Sequence, residues 1–167
     1  MKKMGLSKIF SGILLVTFVF LVSCASTPDL KEKRLTVAVW DLDDLSPSPT
    51  VRPQLGEILS GQIIETLKNK GAYTVVERER LLLALEELRL STTKLVDETT
   101  RLKLGRMLGA RFMVFGSYQI VGDKMRLDLR LVEVETGKIK KAAEKTTSAT
   151  DLQGWIGTAR KAAEELL

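Results

Sequence analysis

Apolar and polar residues alternate along this chain with two different periods, and the changes of period mark out its elements. Leu35-Thr36-Val37-Ala38-Val39-Trp40 is an apolar run rich in β-branched residues, which predicts a buried first strand. Asp41 to Thr50, rich in Asp, Ser and Pro, reads as a loop. A helix is predicted from about Pro53 to Lys70, with Gly71 as its stop and Leu55, Ile58, Leu59, Ile63 and Leu67 as its apolar stripe. Tyr73 to Val76 is a second short strand, and Arg78 to Leu88 a second helix. Asp97 is placed to cap a third helix that ends at Leu108 and Gly109.

Beyond Gly109 the period shortens. Phe112-Met113-Val114-Phe115 opens a continuous apolar strand reaching Ile120, as a strand covered on both faces requires. After a Gly122-Asp123 turn, Met125, Leu127, Leu129 and Leu131 alternate with Arg126, Asp128 and Arg130, the pattern of a strand with one buried face. That alternation slips near Leu131-Val132, which suggests a bulge. Glu135 to Lys138 forms another turn, Ile139 to Ser148 a polar edge strand, and Leu152, Trp155, Ile156, Ala159, Ala163 and Leu166 line a closing helix started by Thr150 or Asp151. The order β-α-β-α-α-β-β-β-α is that of an α/β (α+β) domain: a mixed sheet of about five strands with helices packed on it.

The N-terminus follows a different rule. Lys2, Lys3 and Lys8 precede an uncharged apolar run from Ile9 to Val22, and Leu21-Val22-Ser23-Cys24 closes it as a lipobox. The expectation is a bacterial lipoprotein with a signal peptide over 1–23, a diacylglycerol and a fatty acyl chain such as palmitate on Cys24, a polar tether over 24–34, and a periplasmic domain over 35–167. The residue after the cysteine is Ala25 rather than the Asp that retains enteric-type lipoproteins at the inner membrane, so the expected site is the outer membrane, facing the periplasm.

Composition narrows the chemistry. The signal holds three of the 26 basic residues and none of the 21 acidic ones, so the chain's +5 falls to +2 after processing and gives no support to nucleic-acid binding. The chain has no histidine and its one cysteine is Cys24, which excludes Ser-His-Asp and Cys-His catalysis, His-ligated metals and any disulfide.

Several segments resemble a known family. Leu35 to Asp44, Tyr73 to Arg78, Leu95-Val96-Asp97, Leu104 to Ala110, Gly116-Ser117-Tyr118 and Leu131 to Lys138 are similar to the curli-secretion lipoprotein (CsgG-like) family. Its wider group takes in the TolB N-terminal domain, FlgO and lipoprotein activators of penicillin-binding proteins. The resemblance spans about 35–148, and implies a non-catalytic interaction or assembly domain for an envelope or secretion complex. Its partners would be the membrane, through the lipid anchor, and envelope proteins, a peptidoglycan synthase among them, or further copies in a ring. No cofactor, metal or small-molecule substrate is implied. The curli exporter inserts two long hairpins per subunit, whereas this chain offers a single clean alternating run, Met125 to Leu131. The resemblance is therefore to the periplasmic core without the pore.

One enzymatic alternative comes from the residues themselves. Asp41-Leu42-Asp43-Asp44, directly after a buried strand, has the Asp-x-Asp form of a Mg²⁺-dependent phosphatase, with Asp41 as nucleophile, Asp43 as acid/base, and Asp123 and Asp128 imitating a later metal motif. Against it, Asp123 lies in a tight turn and Asp128 on a strand whose other face is core, so the tetrad reads as a strand-end loop making Asx-turns. Glu77-Arg78-Glu79-Arg80 reads as a helix start with local ion pairs. Lys138, Lys140, Lys141 and Lys145 read as guards of an edge strand, with acidic headgroups or cell-wall polymer as the other partners they suit. Trp40 and Trp155 read as core.

Overall fold

Five consecutive residues with no charge and three β-branched members, Leu35 to Val39, form β1 and lie between two partners in a parallel arrangement. The computed structural model describes residues 35–47, 54–88, 96–148 and 150–167; Cys24, the signal segment, the tether and Pro53 lie outside them. The described elements are β1 (Leu35–Val39), β2 (Asp43–Asp44), α1 (Leu55–Lys70), β3 (Tyr73–Val75), α2 (Arg78–Glu87), α3 (Glu98–Met107), β4 (Phe112–Val121), β5 (Lys124–Glu133), β6 (Ile139–Thr147) and α4 (Leu152–Glu165). The sheet has six strands in the order β3-β1-β4-β5-β6, with β2 pairing to β4 off that path. Strands β3, β1, β2 and β4 run parallel, and the two hairpins β4–β5 and β5–β6 run antiparallel.

Helices cover both faces. Leu55, Leu59, Ile63 and Leu67 of α1, with Trp155, Ala159, Ala162 and Ala163 of α4, pack on Val37, Val39, Val114, Leu127, Leu129 and Leu131. On the opposite face Leu81, Ala84 and Leu85 of α2 and Leu104 of α3 pack on Ala38, Trp40, Met113, Phe115 and Val132. The apolar run Phe112 to Phe115 is thus covered on both sides, whereas Leu127 and Leu129 contribute to one core only. Helix ends follow their predicted signals: Gly71 and Gly109 adopt φ 68° and 67°, and the Asp97 and Asp151 carboxylates accept from the backbone N–H of Thr100 and Gly154.

Four details differ from the sequence reading. Asp43–Asp44 is a strand inside the segment read as a loop, which raises the sheet to six strands. Ile58 is exposed and not part of the α1 stripe, because Gly56 and Ser60 occupy the buried flank that faces the end of β1. A register shift does occur at Leu131/Val132, but its extra residue is Lys140, since Leu131 pairs with Lys141 and Val132 with Ile139. The apolar slip in β5 has another cause: its pairing with β4 is unbroken, and Val132 is simply buried under the helices of the second face. Finally, Lys141 and Lys145 do not stand guard at the free edge. They reach across to the C-terminal end of the chain, the first to the Leu167 carbonyl and the second to Glu165 at the end of α4.

Candidate functional site

The acidic tetrad after β1 is held in place by two glycines. Val39 pairs with Val114 and Asp43 with Ser117, so the chain spends four residues where β4 spends three and one is pushed out of the ladder. Leu42 turns inward there. A Cβ on Gly56 would lie 2.2 Å from the Leu42 carbonyl oxygen, and a Cβ on Gly116 would lie 2.6 Å from Leu42 and from Leu129 side-chain carbons. Only glycine permits α1 and β4 to close on Leu42 from both sides, and that closure aims Asp41 at α1 and α2 and Asp43 at α3.

Each aspartate receives an arginine. The Asp41 carboxylate accepts from Arg78 Nη2 at 2.9 Å and Nε at 3.3 Å, and from the Ser60 hydroxyl at 3.0 Å. Arg78 also pairs with Glu57 at 3.2 Å, and the hydrogen bond to Asp41 is the main force pushing its guanidinium pKa above the ordinary value. Asp43 accepts from Arg101 Nη1 at 3.0 Å and Nη2 at 3.3 Å. Arg101 donates as well to the Val96 carbonyl at 2.7 Å, and its guanidinium stands 5.1 Å from the centre of the Trp40 ring. Trp40 itself is 1% exposed, and its indole N–H has no acceptor among the described residues. Asp44 makes the local turn expected of the tetrad, accepting from the Ser46 N–H at 2.9 Å.

This arrangement is a set of clamps joining the end of β1 to three helices. An attacking or metal-binding carboxylate needs free lone pairs facing an opening, whereas Asp41 meets three donors from two helices and Asp43 a bidentate arginine. Among the described residues no three His, Cys, Asp or Glu side chains gather in a way that would hold a metal ion. Asp128 is taken up by Arg126, at 3.0 Å, on the exposed face of β5, and Asp123 lies in the β4–β5 turn.

The other candidates are dispersed. Glu77 pairs with Lys68 at 2.9 Å and Arg78 with Asp41 and Glu57, so these two charges at the start of α2 bridge to other elements, while Glu79 acts on Arg78 within the helix. Trp155 belongs to the core under α4. The sequence reading missed Arg78 and Arg101 as partners of the tetrad. The signal was present: acids that follow a buried strand need donors, and each of these arginines sits within the first turns of a helix packed beside that strand. A further ion pair, Arg111–Glu133, closes the opposite end of the sheet; the Thr136 hydroxyl, and next Arg111, hold the Glu133 carboxyl below the usual range.

Residues 18–121 match the family described as curli production assembly/transport component CsgG. Among solved structures, the chain is similar to the LpoB C-terminal domain from Salmonella enterica, at 20% identity and TM-score 0.57, covering 69% of this chain and 83% of that one. It is also similar to lipoprotein GNA1162 from Neisseria meningitidis, at 15% identity and TM-score 0.58, covering 74% and 91%. A third likeness is to a PelC dodecamer from Paraburkholderia phytofirmans, at 16% identity and TM-score 0.55, covering 83% and 91%. At these identities the likeness is one of fold. No curated protein sequence matches the chain.

Proposed function

Because the chain belongs to the family of curli production assembly/transport component CsgG, we propose that it is a non-catalytic, lipid-anchored assembly module of the bacterial envelope. In this reading residues 1–23 are removed on export and Cys24 carries the lipid. The domain from Leu35 to Leu167 then faces the periplasm from the outer membrane and binds envelope proteins or further copies of itself.

The family match carries the proposal. It runs from residue 18, inside the apolar export segment, through Cys24 to the end of β4, and so takes in the lipobox and strands β1 to β4. The clamps on Asp41 and Asp43 add support, because they give the most enzyme-like residues a structural task. No helix among the described residues is long and apolar enough to cross a membrane. A regulator of a peptidoglycan synthase and a subunit of a secretion ring both fall within this class; the folds shared with the LpoB domain and with a PelC dodecamer fit either.

The test is chemical. Mass spectrometry of the mature protein should find Cys24 as the N-terminal residue with a diacylglyceryl group, and Cys24→Ser should abolish detergent-phase partitioning. A phosphatase assay with Mg²⁺ should give no activity that depends on Asp41. Partitioning unchanged by Cys24→Ser would refute the anchor, and turnover abolished by Asp41→Asn would refute the non-catalytic reading.

A further inference from the structure

One end of the sheet combines cations that form no close ion pair among the described residues with exposed apolar side chains. The start of β1, the start of β4, the end of β5 and the start of β6 lie in one row: Arg111 N–H donates to the Thr36 carbonyl, Phe112 pairs with Glu133, and Val132 pairs with Ile139. The C-terminus of α3 joins this row through Leu108 to Arg111, and the β5–β6 turn leans on it, a Cβ at Gly137 lying 3.7 Å from Leu102. Three large apolar side chains stand open at this end: Leu35, Met107 and Ile139, 48%, 53% and 53% exposed. Beside them Arg106, Lys138 and Lys140 are exposed and form no ion pair among the described residues.

Ordinary structural demands account for only part of this grouping. Arg106 complements the negative end of α3, but Lys138 and Lys140 occupy a turn and a bulge, where no helix end calls for a cation. Glu133 is held at close range by Thr136 and Arg111, with Lys140 and Lys138 acting on it from farther off, and Glu164 has Lys70. Glu135 is exposed in the same turn and offsets one of the three cations. Edge protection explains a lysine on β6, yet it leaves Leu35, Met107 and Ile139 unexplained. Exposed apolar tips ringed by basic residues suit a charged bilayer surface, where the cations meet phosphates and the tips enter the headgroup layer.

We propose that this end of the domain, bearing Leu35, Met107, Ile139, Arg106, Lys138 and Lys140, docks on the anionic headgroups of the bilayer that holds the Cys24 lipid. The proposal rests on the lipid-anchor reading for its geometry. Leu35 follows Cys24 by eleven residues, which span at most about 40 Å when fully extended, so the chain keeps Leu35 within that reach of the anchor. Docking would orient the opposite end, with the Asp41–Asp44 segment and the Gly122-Asp123 turn, toward periplasmic partners.

The experiment uses the mature chain, 24–167, with Cys24→Ser, so that no anchor contributes. A single cysteine is placed at Met107, Ile139 or Asp123, labelled with a polarity-sensitive fluorophore, and titrated with vesicles of phosphatidylglycerol or of phosphatidylcholine. Labels at 107 and 139 should shift to the blue with phosphatidylglycerol alone, and the label at 123 should not shift. Arg106→Gln, Lys138→Gln and Lys140→Gln together should weaken partitioning at least about tenfold, given the usual contribution of each basic residue near an anionic surface. Lys140→Gln alone, at an exposed bulge, should weaken it in the same direction with an unchanged far-ultraviolet circular dichroism spectrum. Absence of a shift at 107 and 139, an equal shift at 123, or partitioning indifferent to the substitutions would overturn the proposal. Because the anchor is missing from this chain, those results leave Cys24 lipidation standing; failure of Cys24→Ser to change detergent partitioning would remove the anchor independently.

Discussion

Asp41→Asn separates a clamp from a catalytic carboxylate, because the two roles predict opposite changes in stability. Asparagine preserves the shape and can still accept from the Ser60 hydroxyl, but it removes the charge that faces Arg78. The pair lies between surface and core, with side chains 18% exposed for Asp41 and 26% for Arg78. A fully exposed pair contributes about 0–1 kcal/mol, and a hydrogen bond to a charged group about 1.5–3 kcal/mol. Arg78 retains Glu57 at 3.2 Å, which limits the damage. The expected loss is therefore about 1–2.5 kcal/mol. Urea unfolding of the unlipidated mature chain, followed by circular dichroism, should show it as a lower midpoint with an unchanged slope. A double-mutant cycle with Arg78→Gln should return a coupling of about 0.5–2 kcal/mol, as for contacting residues in one network. An unchanged midpoint, or a coupling near zero, would refute the clamp. A gain in stability would be still more telling, since groups retained for function at the expense of folding behave that way when neutralised.

Further outcomes follow from the same structure. Gly56→Ala drives a methyl into the Leu42 backbone, which cannot swing aside, so it should cost about 3 kcal/mol or more in urea unfolding; a neutral result would show that α1 does not close on Leu42 as described. Phe115→Ala, at a side chain 2% exposed under α2 and α3, should cost about 3–5 kcal/mol, against less than about 1 kcal/mol for Arg126→Ala on the open face of β5; equal losses would contradict the two-sided burial of β4. The Asp97 and Glu133 carboxyls are held below their ordinary values, the first by the Thr100 N–H and the second by the Thr136 hydroxyl. Their folded pKa values lie below the unfolded ones, so their contribution is present above the unfolded values and is lost as pH falls through the folded ones. The urea midpoint should drop as pH falls through and below the ordinary carboxylate range, less steeply in Thr136→Ala, and a midpoint that rises on acidification would contradict the assignment. Purified lipidated protein in planar bilayers should give no discrete conductance steps, since both ten-residue strands β4 and β5 have a face committed to the core; reproducible single-channel openings would overturn this.

The elements were legible where period and punctuation agreed. Phe112 to Ile120 could be recognised because an apolar run without alternation needs cover on both faces, and Asp97, Asp151 and Gly71 mark helix ends by local chemistry alone. What escaped was set by packing between distant residues. Asp43 and Asp44 pair with Ser117 and Tyr118 only because Leu42 is drawn between Gly56 and Gly116, and no local signal in a run of aspartates announces a strand. The slip at Leu131-Val132 pointed to the right place for a bulge through the wrong strand, because buriedness reports which helices lie above a residue as well as which way it points. The acidic tetrad was legible as a polar strand end, but its partners lie 19 to 58 residues away, beyond the reach of any local pattern. Lys141 and Lys145 were misread for the same reason, since their acceptors belong to the last turn of the chain.

Native mass spectrometry of the protein, released gently from its own envelope in mild detergent, tests the central claim most directly. An assembly module should emerge in a complex several times heavier than the chain's 18.6 kDa, with lipid on Cys24 and with envelope proteins or further copies bound. A single lipid-free monomer, alone across a range of detergents and salt, would contradict the account.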